Sequence, residues 1–249
     1  MRAEEFIARL NETAQNEELH SHLCQGVPLG VDAANELVLS QTREHAYTAR
    51  HTCVTGTRKT QFIRRLISNI SALYPKTEAN LLILSPYPEY GEALKYKHLD
   101  ATVPYVRSKA DLALAKTCIR ELVEEYSRGA GYPMLFLVLD GLEELPECNQ
   151  TDLEEYRSFI ELVAREKNVH VISGVDLMKS IFSGNPGVFV GTGNCLVTTR
   201  EEGRADVTYV ENDNSLSMPI GMTYPDAPSH LETIIYLNSL PALTKKQEK

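Results

Sequence analysis

The sequence contains no run of roughly 18 apolar residues, the minimum for a membrane-spanning helix, so direct membrane insertion by a helix is not expected. It also lacks the basic start and apolar centre of a secretory leader, because Glu4, Glu5, Glu17 and Glu18 stud its beginning. Its 5 cysteines, at 24, 53, 118, 148 and 195, include no C-x-x-C pair. An odd, scattered set argues against a disulfide framework and for a reducing compartment. The 7 histidines form no H-E-x-x-H or other ligand spacing, so no structural metal is expected. Positive charge is short as well: 25 Lys and Arg against 34 Asp and Glu give a net charge of −9. A protein that tracks a nucleic-acid backbone usually carries a basic stripe. Here the densest basic group is only Arg58, Lys59, Arg64 and Arg65, so DNA is not the expected partner. Internal repeats and low-complexity linkers are absent.

What remains is a chain of 249 residues, 43% hydrophobic and 24% charged, enough for one large α/β domain or two small ones. Its central feature is Thr52-Cys53-Val54-Thr55-Gly56-Thr57-Arg58-Lys59-Thr60. An apparent strand precedes it, and Ile63, Leu66, Ile67, Ile70 and Leu73 follow at helical spacing. Strand, tight turn and helix, with Lys-Thr at the helix start, is the layout of a phosphate-binding loop. Such a loop aims backbone N–H groups at an anion on a helix N-terminus. Lys59 would reach the outer phosphates and the Thr60 hydroxyl would hold Mg²⁺. The nucleotide-binding candidates are therefore Thr55, Gly56, Thr57, Arg58, Lys59 and Thr60. The pattern G-x-x-x-x-G-K-[ST], anchored on Lys59, asks for glycine at 53 and 58, where this chain has Cys53 and Arg58. Arg58 brings a long side chain to a phosphate position. An ordinary strand–turn–helix with a coincidental Lys-Thr explains the stretch equally well.

Before the loop, residues 2–19 read as a helix with Phe6, Ile7, Leu10 and Leu19 on one face; it either packs on the body or leads from a preceding module. Residues 26–32 and 36–40 read as short strands joined by Ala33-Ala34-Asn35, with Asn35 the residue most tolerant of positive φ. After the loop, 80–85 is an apolar strand stopped by Pro86, and a loop runs through Tyr87 and Tyr90 to Val106. A helix opens at Ser108, with Leu112, Ala115, Ile119, Leu122 and Tyr126 inward. The strongest strand, 134–140, ends in Asp140. A second helix starts at Thr151-x-x-Glu154, with Leu153, Tyr156, Ile160 and Val163 inward. Strand 169–173, a short helix 175–182, a Gly-rich segment 184–193 and strand 195–198 follow. The tail adds strand 207–210, a turn at 212–214, a segment 215–220 and a helix from Ser229-x-x-Glu232 carrying Leu231, Ile234, Ile235 and Leu240.

Strand–helix alternation over 50–200 predicts an α/β fold with a mostly parallel sheet and helices on both faces. Right-handed crossovers then bring the turns after 54, 85, 140 and 173 to one edge, where ligands bind. In nucleoside triphosphatases an acid at the place of Asp140 holds Mg²⁺ and the next acid polarises the attacking water. Thr60 and Asp140 are thus the metal candidates. A strand-end acid that merely caps its turn is the other reading.

In this order the stretches resemble the FtsK/SpoIIIE family of P-loop motors. Gly26-Val27-Pro28-Leu29-Gly30-Val31-Asp32 is similar to the family's entry hairpin, 52–60 to its Walker A, and Leu82-Ile83-Leu84-Ser85-Pro86 to its next strand. Glu121 to Arg128 is similar to its Glu- and Arg-rich helix end, 137–145 to its Walker B, and Gly203-Arg204-Ala205-Asp206 to its Gly-Arg-Gly-Asp strand entry. The likeness spans roughly 26–240. It implies a P-loop NTPase-like, RecA-like domain over 26–243, preceded by a helix or linker at 1–25 and followed by a frayed tail at 244–249. It implies ATP and Mg²⁺ as ligands.

The departures fall on the catalytic parts. Both loop glycines are missing, Gly141 replaces the water-polarising Glu, and Gly174-Val175-Asp176 replaces a polar sensor Gln. Glu143 and Glu144 are the substitute catalytic candidates; a solvated turn is the competing account of both. In type VII secretion ATPases, which resemble tandem FtsK/SpoIIIE modules, later modules commonly carry degenerate loops. The expectation is therefore a degenerate, cytoplasmic module with weak or no ATP hydrolysis, tethered to a membrane only through a larger, ring-shaped (hexameric) assembly. It would dock to neighbouring motor modules or subunits, or to a small secreted helical protein. The alternative is an active ATP-dependent DNA or protein translocase.

The charge balance gives a first expectation. The chain should show no salt-sensitive binding to duplex or single-stranded DNA at micromolar protein and physiological ionic strength. A gel shift that fades steeply with added salt, as phosphate-driven binding does, overturns it.

Overall fold

The computed structural model describes residues 3–15, 26–40, 50–97, 99–128, 133–145, 149–166, 168–174, 195–201, 203–209, 217–224 and 230–240. The expectations at 175–182, 184–193 and 212–214, and for the side chains of Leu19, Leu153, Tyr156 and Leu231, lie outside what is described.

Ten strands form one mixed sheet in the order β2-β1-β10-β9-β8-β3-β7-β6-β4-β5. β3 (His51–Gly56), β4 (Ala79–Leu84), β5 (Asp100–Thr102), β6 (Met134–Leu139), β7 (Val169–Gly174) and β8 (Cys195–Thr199) are mutually parallel. β6 and the Leu81–Leu84 part of β4 are continuous apolar runs because both faces are covered by helices. Beyond β8 the sheet turns antiparallel through β9 (Arg204–Tyr209), β10 (Ile220–Thr223), β1 (Pro28–Val31) and β2 (Leu37–Leu39).

One face carries α1 (Ala3–Gln15), α2 (Lys59–Leu73) and α5 (His230–Ser239). Phe6, Leu10, Phe62, Leu66, Ile70 and Ile234 form its core, so the N-terminal helix packs on the body. The other face carries α3 (Lys109–Arg128) and α4 (Gln150–Ala164) over Leu112, Ile119, Phe159, Ile160 and Val163. This is a P-loop NTPase-like α/β fold. Among the described residues no helix is long and apolar enough to cross a membrane.

Local chemistry explains several boundaries. The β1–β2 turn closes because the Asp32 carboxylate accepts from the backbone of Ala34 and Glu36 at 2.9 and 2.8 Å, and Asn35 takes φ 62°. Ser108 accepts from Asp111 N at 3.2 Å and starts α3 as expected. α4 starts earlier than its Thr151 pattern suggests, because Asn149 and Asp152 form the capping box. Of the segment 215–220 only Ser217 onward is described; the strand there is Ile220–Thr223, starting just past Pro219, which has no N–H to give the ladder. The long loop expected after Pro86 contains a 3₁₀ helix, Pro88–Lys95, and the edge strand β5.

Two buried histidines sit in the parallel core. His51 Nε2 lies 2.6 Å from Ser173 Oγ, and His170 Nε2 lies 3.0 Å from Thr52 Oγ1. Burial pulls His51 down to about 4; burial, then Arg50 and His51, pull His170 down to about 3. Both stay neutral in the fold, whereas an unfolded histidine binds a proton below about 6.5. The unfolded state therefore gains protons first, and stability falls as pH drops from about 6.5 toward the folded values. Between pH 7 and pH 5 the wild type should lose about 2 kcal/mol more than a His170→Asn variant, read from urea midpoints. Equal losses in the two proteins overturn this.

Candidate functional site

The β3–α2 connection is shorter than a phosphate-binding loop. β3 runs on to Gly56, and α2 begins at Lys59, leaving Thr57 and Arg58 as the turn. Cys53 pairs with Ser173 and Leu196, Val54 with Gly174 and Val197, and Thr55 with Thr198. Cys53 is therefore a buried strand residue and Thr55 has its backbone in the ladder, so neither belongs to a loop. Thr199 holds the end of β3 down: its hydroxyl donates to Thr55 O at 2.9 Å and also to Thr57 O. Thr57 Oγ1 in turn donates to Arg200 O at 2.6 Å. Gly56 has φ 94°, and a Cβ there would lie 2.1 Å from Thr199 O. Glycine at 56 thus serves the close approach of β8. Arg58 takes φ 64° and offers no side-chain cap to α2.

The remaining candidates converge one turn further on. Asp140, at the end of β6, is fully buried. Its Oδ2 accepts from Thr60 Oγ1 at 2.6 Å and from Tyr90 Oη at 2.9 Å. Among the described residues its Oδ1 has no hydrogen-bond partner, and it rests against Gly174, where a Cβ would lie 1.9 Å away. Burial raises the Asp140 carboxyl above its ordinary range, opposed by the hydroxyls of Thr60 and Tyr90 and by Lys59. Lys59 Nζ stands 3.3 Å from Glu143 Oε1, an ion pair that falls short of hydrogen-bond geometry. Burial pulls the Lys59 ammonium down, but Glu143 and Asp140 outweigh it and hold it above the usual lysine value. Burial likewise raises Glu143, with Lys59 opposing. The solvated turn expected at Glu143 and Glu144 holds for Glu144, which is exposed, and fails for Glu143, whose side chain is 10% exposed.

Gly141 takes φ 72°, and a Cβ there would lie 2.6 Å from the ring of Tyr87. Tyr87 therefore fills the space beside residue 141, the position that the sequence resemblance equates with a water-polarising carboxylate. Burial and a hydrogen bond to Glu144 hold its phenol well above the ordinary range. Tyr87, Tyr90 and Thr199 are site residues that sequence reasoning missed. The only signal was two tyrosines just past Pro86, in a stretch read as loop.

These residues do not fit a nucleoside triphosphate and its Mg²⁺. The backbone that would cradle phosphates is strand, Lys59 already faces a carboxylate, and Thr60 and Asp140 hydrogen-bond directly. Asp140 Oδ1 is aimed at Gly174, and among the described residues no group of three or more His, Cys, Asp or Glu could hold a metal ion. A separate cavity of about 710 Å³ lies between α3 and α4, walled by Lys116, Arg120, Glu155, Phe159 and Leu162, and shares no residue with this edge.

Among solved structures, the chain is similar to a protein described as an ATPase, at a TM-score of 0.62 and 14% identity, with 89% of this chain and 94% of that one covered. It is similar to the cytoplasmic domain of the Thermomonospora curvata type VII secretion ATPase EccC, at a TM-score of 0.58 and 14% identity. The chain has the fold of a type VII secretion ATPase domain. The EccC match covers 88% of this chain and 32% of EccC, so this fold spans about a third of that protein. EccC ATPases 2 and 3, in complex with a signal sequence peptide, match at a TM-score of 0.55 and 15% identity, covering 82% of this chain and 41% of that one. No family model and no curated protein matches the sequence.

The Tyr87–Gly141 contact is directly testable. Gly141→Ala adds a Cβ at a left-handed φ and against an aromatic ring, so it should cost at least about 1–3 kcal/mol, read from the denaturant midpoint. Gly141→Glu should be destabilised in the same sense and gain no phosphate release. An unchanged midpoint in Gly141→Ala sinks the assignment.

Proposed function

We propose that this domain is a degenerate FtsK/SpoIIIE-like module of a type VII secretion-like motor, working by docking and with little or no ATP turnover. The observation that carries this reading is the two-residue turn between β3 and α2. Phosphate binding at a helix N-terminus needs free backbone N–H groups around the anion. Here the preceding residues are paired in the sheet, and Thr57 is tied to Arg200.

In this reading the module sits in the cytoplasm against neighbouring motor modules or subunits of a ring. A small secreted helical protein is the substrate class, because an EccC relative of this fold is described in complex with a signal sequence peptide. The fold is kept as a scaffold while the phosphate edge no longer serves chemistry.

A second reading, an active translocase, has one observation in its favour. Glu143 is a mostly buried carboxylate with a raised pKa beside Lys59, the kind of perturbation found in general bases. It would act with Lys59, Thr60 and Asp140.

Calorimetric titration with ATP and Mg²⁺ separates the two. The docking module should bind with a dissociation constant weaker than about 1 μM, under roughly 8 kcal/mol, and release phosphate at background rate. Sub-micromolar binding with turnover that Glu143→Gln abolishes establishes the translocase reading. Restoring glycine by Cys53→Gly and Arg58→Gly should not improve binding, since residue 53 lies inside a strand.

A further inference from the structure

We propose that Lys59, Thr60, Tyr87 and Tyr90 form a permanent brace that holds the turn after β6 onto α2, taking the place a bound nucleotide would occupy. The inference deepens the docking-module reading and rests on it. The brace joins parts of the chain that are far apart in sequence. Lys59 and Thr60 come from the first turn of α2, Tyr87 and Tyr90 from the segment after β4, and Asp140, Gly141, Glu143 and Glu144 from the turn after β6. Each acid of that turn meets a different member. Asp140 Oδ2 takes both the Thr60 and the Tyr90 hydroxyls, Glu143 faces Lys59, and Glu144 takes the Tyr87 phenol. The Tyr87 ring closes over Gly141, which as a glycine takes a left-handed backbone and has no Cβ to push the ring away.

In an NTPase these contacts are made and broken as nucleotide and metal come and go. Here the chain supplies both sides of each contact; among the described residues of this edge, only Asp140 Oδ1, which faces Gly174, and Glu143 Oε1, which meets Lys59 as an ion pair, carry no hydrogen bond. A ligand shifts a conformational equilibrium only through a difference in its affinity for the two states. With the cradle absent there is no such difference, so nucleotide cannot shift the module between conformations. Lys59 is accordingly a positioning residue: it neutralises Glu143 and keeps the turn seated.

The test is thermal melting of the full chain. Lys59→Met leaves Glu143 buried without its cation. Among the described residues, the titratable groups that then face Glu143 include Asp140 on the same turn, Cys53 on β3 and Tyr87 after β4, none of which supplies positive charge. Glu143 must take up a proton, so the loss should grow with pH: the midpoint should fall by about 5 °C or more at pH 8 and by clearly less at pH 5.5. Adding Glu143→Gln to Lys59→Met should recover most of the loss, and millimolar Mg-ATP should leave the wild-type midpoint unmoved.

A Lys59→Met midpoint equal to wild type at pH 8, with no ATP effect, overturns the brace and leaves the docking-module reading standing. A wild-type midpoint that rises with millimolar Mg-ATP overturns the brace, whereas the docking-module reading falls only with the sub-micromolar binding and turnover named above. If Lys59→Met does not fold, the Lys59→Met/Glu143→Leu double variant decides: it removes both charges and should fold with a near-wild-type midpoint, and its failure to fold overturns the brace.

Discussion

The approach of β8 to the end of β3 governs the whole edge. Gly56 has no side chain, so Thr199 comes close enough for its hydroxyl to reach both Thr55 O and Thr57 O. The ladder therefore continues to the Gly56–Thr199 pair. Backbone groups in a ladder cannot also line an anion site. Once β3 is held that far, only Thr57 and Arg58 remain to reverse the chain into α2, and Arg58 accepts a left-handed backbone to do so. The loss of the phosphate cradle follows from strand pairing more than from the missing glycines. Cys53 shows this directly: it stands in the pattern at a loop glycine, yet it is a core residue between Ser173 and Leu196.

How much of this was legible in the sequence depends on the range of the interaction. β4 and β6 are readable because a run of apolar residues ended by Pro86 or Asp140 admits few structures besides a doubly covered strand. α2 is readable from the spacing of Ile63, Leu66, Ile67 and Ile70, and the β1–β2 turn from Asn35. The placing of Lys59, Thr60, Asp140 and Glu143 on one edge follows from topology, because parallel strands put their following turns together. The rest turned on contacts without a local signature. The 3₁₀ helix that delivers Tyr87 and Tyr90 has no strong periodicity. Thr199 lies more than a hundred residues from the loop it closes, and nothing near Gly141 announces an aromatic ring above it.

The electrostatics of the edge follow from its burial. Asp140 and Glu143 both prefer the protonated form more than a solvated carboxyl does, and one ammonium, Lys59, sits between them. Leaving a buried polar group unmatched is costly, and leaving a buried charge unmatched is costlier still. The hydroxyls of Thr60 and Tyr90 answer one carboxylate, and Lys59 answers the other. A bound nucleotide would have to take Lys59 from Glu143 and then leave that acid uncompensated, so the internal contacts oppose an external ligand.

The fold can carry such an edge because its stability lies elsewhere. The core under α1, α2 and α5 and the core under α3 and α4 are built from side chains such as Phe62, Leu66 and Phe136 on one face and Leu137, Phe159 and Val171 on the other. Neither core includes Lys59, Thr60, Asp140 or Glu143. Burial of apolar surface supplies most of the folding drive, and it scales with area removed from water irrespective of what the strand-end turns contain. The turns after β3, β6 and β7 can therefore exchange a ligand's contacts for contacts within the chain while the sheet order and the helix layers stay as they are. What stays is the sheet with its two helix layers, held by the two cores.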